Sequence, residues 1–575
     1  MIGTYAAVLA ICAASLAIGQ AALGMCGIRR WSWLAPAVGL ALLCAICWGT
    51  VRLPGEGLVS AVVALALVVA SVVYLRGRVE GAGEALRVGW PVALGALLAT
   101  SLPFAVEGHF GILGTSFNPD MSQHLLAADR LAEGHSSQLL NQGYPLGPHS
   151  VVVALDKGLG IGLVQGFSGL TVAVAVLACL TALAAFRSLG PVPRTAGALL
   201  VGLAYVVASY FAQGAFKETM QALFLLAFVL ALREASGAWR NLPLRFVPAA
   251  LIAVGSVYAY SFPGLIWLGA AALLWVVMTR PAARALGLGL LVFFVFVAPE
   301  IGRMSDFASF ETFDPNGPGL GNLFGQVSPF EALGIWPSGD FRLAPGDGAV
   351  PALGYYLGIA FALALFFYGL IRLWRDRERV ILAGLGAAAL AYVAARLGGT
   401  PYTAAKAIEI GAPLVALAIL LPLLRQRDCR FIPQGQEQSD KRSLALPAAA
   451  IFVAAAGVCS LLALANAPVG PTSYSSTLAD YRKVVGEGPT LVVASPQLLE
   501  EEHGMPFLSW ELRGGRVCIR STEEGGKLPP GTRYVIRKDR EGGSDWTLRE
   551  VPDPSPGKSP CPLIAVRQAR QGPGR

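Results

Sequence analysis

Residues 57–75 read GLVSAVVALALVVASVVYL, nineteen positions without one charged side chain. Crossing a bilayer as a helix takes about 20 predominantly apolar residues. Lipid offers no hydrogen-bond partners, so the backbone of such a block must satisfy itself, and a helix does so. Similar blocks recur on both sides of it, near 2–24, 34–52, 88–106, 168–187, 196–212, 217–233, 246–262, 264–279, 285–300, 351–373, 379–397, 403–424 and 445–465. The expected fold is a polytopic α-helical membrane protein of about 14 transmembrane helices. Composition agrees: 55% of the 575 residues are hydrophobic and 14% charged, against roughly a quarter charged in soluble domains. The first block lacks a basic leader and is followed by Arg29 and Arg30, so it reads as a retained helix rather than a signal peptide.

The net charge of +8 then speaks of topology, not of nucleic acid. Arg29/Arg30, Arg76/Arg78/Arg87, Arg187/Arg194, Arg233/Arg240/Arg245, Arg280/Arg284, Arg372/Arg375/Arg377/Arg379 and Arg425/Arg427/Arg430/Lys441/Arg442 fall in alternate loops. The positive-inside rule makes those loops cytoplasmic. Both termini are then expected outside, with two long loops, 107–167 and 301–350. The chain divides into N-terminal transmembrane helices 1–87, a membrane core 88–465, a small extracytoplasmic α/β domain 466–551 and a Pro/Gly-rich tail 552–575, expected to be disordered. In the outer domain the strand-like runs TLVVAS, GRVCIRS and TRYVIRKD alternate with the helix-like TLADYRKVVGEG and PQLLEEEHG. Of nine cysteines only Cys518 and Cys561 lie there, and a disulfide between them suits an oxidising compartment. No Cys/His cluster has metal-ligand spacing.

The first long loop holds four of the five histidines, His109, His124, His135 and His149. Its stretch NPDMSQHLLAADRL, 118–131, is amphipathic: Met121, Leu125, Ala128 and Ala132 share one helical face, and Asp120 and His124 line the next. Such a helix suits a membrane surface. GYPLGPH follows, with Tyr144 and His149, and SVVVALDKGLGIGLVQGFSGL looks like a second interfacial helix. Asn118 and Pro119 are good helix starters. A carboxylate in the first turn, Asp120, is then explained by the helix dipole alone, a contribution of about 0.3–1 kcal/mol. The alternative is a general base. His124 and His149 read either as sugar or phosphate ligands or as structural residues of the loop.

QGAFKETM places Lys217 and Glu218 at the outer end of the seventh block. GTPYTAAKAIEIGAPL places Lys406 one turn inside the thirteenth, with Tyr402 one turn before it and Glu409 one turn after. Ionisable residues at such depth are costly and are usually functional or paired. The two readings are a structural lysine, snorkelling or ion-paired, and an anion site in which lysine binds phosphate as a point charge. The second long loop adds Glu300, Arg303, Asp306, Glu311, Asp314, Trp336, Asp340 and Arg342, and its DPNGPGLGN suggests a mobile cover.

PDMSQHL followed by YPLGPH resembles the first outer loop of bacterial members of the GT-C superfamily of integral-membrane glycosyltransferases. YTAAKAIEIGAPL is similar to a late span of related actinobacterial-type envelope proteins. The resemblance implies an inverting glycosyltransferase of the bacterial plasma membrane. Its donor would be a polyprenyl-phosphate-linked sugar and its acceptor a cell-envelope glycan, lipid or protein. Asp120 would be the general base. Lys406, with Lys217 or Arg303, would hold the lipid phosphate, and His124, Tyr144, His149, Glu218 and Tyr402 would complete the substrate site. No cofactor is called for, and a divalent metal stays open although the loop has no DxD motif. Two other classes fit the same composition: a transporter or flippase of lipid-linked sugars, and a noncatalytic envelope scaffold. Transporters place charges near the midplane and repeat their halves; here the charges gather toward one face and no repeat is visible.

Overall fold

The computed structural model describes the chain apart from residues 116, 118–119, 136, 237–242, 282, 309–318, 426–441, 501–503, 539–544 and 562–575. Each apolar block is helical, as single helices or short broken pairs. Among the described residues nine helices are long and apolar enough to cross a membrane. There are ten if Pro191–Gly202 and Tyr205–Ala212, bent by 52°, form one span. This is fewer than the fourteen expected. Ala35–Val51 and Gly264–Thr279 are apolar but short, and Ala82–Thr100 and Phe216–Ala235 carry charged residues.

Burial sorts these helices. Glu56–Leu75 turns Leu58, Val62, Leu65 and Val69 outward, an apolar face that suits lipid and not water. Leu163–Ala182, Phe216–Ala235 and Pro401–Arg425 are buried along nearly their whole length and form the centre. The chain is a multi-pass helical membrane protein. Without a hydrophobic drive between helices in lipid, close backbone approach does the packing. At Gly39 a Cβ would lie 1.8 Å from the Ser15 carbonyl oxygen, so only glycine lets the first two helices meet there.

The bundle has two polar ends. At one, Glu378 takes bonds from Arg233 at 2.6 Å and Arg425 at 3.0 Å, and Arg187 pairs with Glu234 at 2.6 Å. At the other lie the long loops. Residues 112–114 pair with 468–470, through Ile112 N–H to Gly470 O (3.1 Å) and Gly470 N–H back to Ile112 O (2.8 Å). The second loop is pinned to the first. Asn322 Nδ2 donates to Phe117 O at 3.0 Å and to Gln213 Oε1, and Arg342, paired with Asp340 at 2.7 Å, stacks on Phe117 and Phe324. Glu311, Asp314 and most of DPNGPGLGN lie outside the described residues.

Two expectations for the first loop change. Helix Met121–Ala132 does not lie exposed on a surface: His124, Leu125, Ala127, Ala128 and Leu131 are all buried, between the core and the tail domain. The second interfacial helix ends at Leu159, because Gly160 takes a left-handed conformation. The rest of that stretch belongs to the membrane helix Leu163–Ala182.

The tail domain is an α/β unit. Strands β1 (Thr490–Ala494), β2 (Val517–Ser521), β3 (Tyr534–Lys538) and β4 (Thr547–Glu550) form a sheet of order β2-β1-β3-β4. β1 runs parallel to β2 and β3, and β4 is antiparallel to β3. Helices Ser476–Val485 and Pro496–Glu500 fall where the sequence placed them; Gly504–Glu511 and β4 are additional. Cys518 and Cys561 form a disulfide. That bond, with Gly531 N–H donating to Ser555 O at 3.0 Å, ties residues 552–561 back onto the domain, so the start of the expected disordered tail is fixed.

Candidate active site

Helix Met121–Ala132 begins at Asp120, which is its N-cap; Asn118 and Pro119 lie outside the described residues. The Asp120 carbonyl accepts the N–H groups of Gln123 (3.0 Å) and His124 (3.2 Å). Its carboxylate makes no capping bond to the helix, so the helix-start explanation does not use the side chain. Instead the carboxylate lies close enough to act electrostatically on Lys217, Lys406 and Tyr474, three residues from three separate segments.

Lys217 sits in the first turn of Phe216–Ala235, and Lys406 in the second turn of Pro401–Arg425. Lys406 pairs with Glu218 at 3.0 Å and rests over the Tyr402 ring, 4.1 Å from its centroid. Lys217 pairs with no carboxylate among the described residues. Its ammonium lies 4.0 Å from the centroid of Tyr144, a cation–π contact worth about 0.5–2 kcal/mol. The N-terminal ends of the Asp120 and Lys217 helices both point their positive dipoles at this region. One turn deeper, Glu409 is fully buried and neither carboxyl oxygen has a hydrogen-bond partner.

His124 and His149 form one buried unit. His149 Nε2 and His124 Nδ1 are 3.1 Å apart, and the two rings are walled by Phe167, Phe216 and Tyr144. Burial pushes the His149 pKa down to about 3, so its ring is neutral. His149 Nδ1 has no partner. Donation from His149 Nε2–H to His124 Nδ1 therefore leaves a lone pair, not an N–H, unsatisfied. The pair braces the Asp120 helix against GYPLGPH and carries no charge toward a substrate through His149.

Arg303 lies in this network by another route. Its guanidinium is taken up by Glu300 (2.5 Å), Gly143 O (2.8 Å) and Val257 O (3.2 Å). Glu300 in turn takes Trp48 Nε1–H at 2.9 Å and Arg52 at 3.1 Å. Gly143 has φ +67°, and a Cβ there would lie 2.3 Å from the Arg303 carbonyl oxygen. Arg303 thus fixes the backbone that presents Tyr144 to Lys217, with its own charge already used. Tyr402 also meets the second loop: its N–H points to Gly319 O at 3.4 Å, and Gly321 lies flat against its ring.

The structure therefore gathers Asp120, His124, Tyr144, His149, Lys217, Glu218, Tyr402 and Lys406 at one end of the core and makes Arg303 a clamp behind them. Tyr474 and Glu511 were missed. Tyr474, in SSYSS-like polar sequence just before the tail domain, carries no motif, and Glu511 reads as one more surface carboxylate. Burial raises the Tyr474 phenol, with Asp120 and Glu511 adding to it, and burial also raises Glu511 against the pull of the Tyr474 and Ser475 N–H groups. Among the described residues no cluster of three or more His, Cys, Asp or Glu is arranged to hold a metal ion.

The chain matches no protein-family model and no curated protein. Among solved structures it is similar to the arabinofuranosyltransferase AftD from Mycobacteria, determined by single-particle cryo-EM, at 16% identity and a TM-score of 0.47. The match covers 79% of this chain and 35% of that one, so the chain spans about a third of the length of the protein it matches. A likeness of that size assigns neither a family nor an activity, and the functional reading rests on the site itself.

Proposed function

We propose that the protein is a GT-C-like membrane glycosyltransferase. It moves a sugar from a polyprenyl-phosphate-linked donor to a cell-envelope acceptor at the outer face. One observation carries this reading: a carboxylate that begins a helix without capping it, held within electrostatic reach of two lysines from separate central helices. In this reading Asp120 takes the proton of the acceptor hydroxyl as its oxygen attacks the anomeric carbon. The bond from that carbon to the phosphate oxygen breaks on the opposite side, its electron pair goes to the phosphate, and the configuration inverts. Lys217 and Lys406 stabilise the charge that develops on the leaving phosphate.

The two lysines divide this work unequally. Lys406 is already neutralised by Glu218. Lys217 faces only an aromatic ring and is the ammonium that an incoming phosphate would pair with first. Glu218 then keeps Lys406 oriented and prevents two ammonium groups from repelling each other.

The charge distribution favours transfer over transport. Along the Lys406 helix the residues from Ala407 to Leu424 contain one ionisable group, Glu409, before Arg425 at the far end. That far end is closed by the Arg233–Glu378–Arg425 cluster. Reaction at one interface needs charges there and none across the middle. The test is purified protein in nanodiscs with labelled polyprenyl-phosphate pentose and hexose donors and envelope extract as acceptor. Labelled product supports the proposal. Donor translocation in proteoliposomes without any product would replace it with a flippase.

A further inference from the structure

A helix leaves its first N–H groups without intrahelical partners, and aspartate is among the best residues for taking one of them with its side chain. Asp120 stands at the N-cap and does not do so. The acceptor comes instead from far along the chain: the Tyr474 hydroxyl oxygen takes the Ser122 backbone N–H. Gln123 and His124 are satisfied by the Asp120 carbonyl.

Tyr474 is itself held. Its N–H donates to Glu511 Oε1 at 2.6 Å, and its ring meets Phe507 edge-on at 5.3 Å. Both partners lie on Gly504–Glu511, the tail-domain helix that packs against Met121–Ala132. Arg513, just beyond it, approaches Asp129 at 3.9 Å. The strand-like pairing of 468–470 with 112–114 brings Tyr474 to this place from below.

We propose that Tyr474 is a positioning residue: it caps the helix that begins at Asp120, and so keeps the Asp120 carboxylate turned away from its own helix and available to a substrate. The proposal deepens the glycosyltransferase reading and rests on it for the word substrate, but the cap itself does not. The tail domain, through Tyr474 and Glu511, becomes part of the machinery that sets the base. Undocking it frees the Ser122 N–H, and the nearest acceptor for that group is the carboxylate of Asp120.

The experiment is hydrogen exchange of the 121–124 backbone in the full-length protein in detergent. Four chains are compared: wild type, Tyr474→Phe, Asp120→Ala and the double variant. Tyr474→Phe keeps the ring against Phe507 and removes only the oxygen. The proposal expects Asp120→Ala alone to leave exchange within about two-fold, because the carboxylate is not the cap. In the Tyr474→Phe background the same change should speed exchange about five-fold or more, the size of one lost cap. Tyr474→Phe should also lower kcat for transfer with little effect on donor KM and should move its pH profile, which a loss of folding alone does not do. Equal effects of Asp120→Ala in both backgrounds overturn the proposal. If wild type transfers no sugar while the exchange pattern holds, the catalytic reading fails and the cap stands.

Discussion

Breaking the Lys406–Glu218 pair should cost more than any surface ion pair, and unequally on its two sides. At 3.0 Å and an effective dielectric near 20, two unit charges attract by about 5 kcal/mol. Both side chains are mostly buried, 14% and 6% exposed, so solvent replaces little of that attraction. Removing one partner of a buried pair typically costs about 3–5 kcal/mol, because the other charge is left unpaired. Glu218→Gln leaves Lys406 and Lys217 facing each other with no anion but Asp120, and should lie at the top of that range. Lys406→Met leaves Glu218 with Lys217 still acting on it, and should lie at the bottom. The double variant removes both charges and should recover about 2 kcal/mol or more of the summed loss. The assay is reversible unfolding in mixed micelles, followed by tryptophan fluorescence. Single variants that each lose under about 1 kcal/mol, or a double variant that loses their full sum, would refute a buried, mutually dependent pair.

Three further outcomes follow from the same geometry. Lys217→Met should weaken binding of polyprenyl monophosphate by about 10- to 100-fold, the loss of one charged hydrogen bond, measured by displacement of a fluorescent lipid; Lys406→Met should weaken it less. Arg303→Lys should destabilise by about 2–4 kcal/mol in the same unfolding assay, since an ammonium cannot reach Glu300, Gly143 O and Val257 O together; a loss under about 0.5 kcal/mol would remove the clamp. The third concerns pH. His149 is held down to about 3 from 6.5 by burial, so the unfolded loop binds the extra proton between those values. Its contribution is full above 6.5 and is lost as the pH falls toward 3, a swing of about 3–5 kcal/mol. Melting temperature should fall on acidification through that window, and His149→Gln should flatten the slope.

The membrane class was legible because apolar length is a strong signal: 57–75 can hardly be anything else. The number of spans was less so. Hydropathy does not distinguish a helix that crosses lipid from one buried among neighbours, and Phe216–Ala235 is of the second kind, with lysine and glutamate in its first turn. The site was legible by residue type but not by partner. Lys406 and Glu409 are one turn apart, yet the lysine pairs with Glu218 on another helix. Arg303 looked like a phosphate ligand because a basic residue in an outer loop is available in sequence; only the fold shows its three acceptors. Helix Met121–Ala132 looked interfacial because its amphipathicity reveals a buried face without naming what buries it, and half of the cover comes from the tail domain. Tyr474, more than 350 positions from Asp120, had no local signal at all.

The central claim is that Asp120 is the base of a sugar transfer. The most direct measurement is the rate of product formation from a labelled polyprenyl-phosphate donor by wild type and Asp120→Asn, matched for melting temperature and for polyprenyl monophosphate binding. Asparagine keeps the size and hydrogen bonding of the side chain and cannot take the proton. A positioned base contributes about 10²–10⁴-fold, so the account predicts at least a hundred-fold loss with donor binding kept. Transfer by Asp120→Asn at the wild-type rate would contradict it.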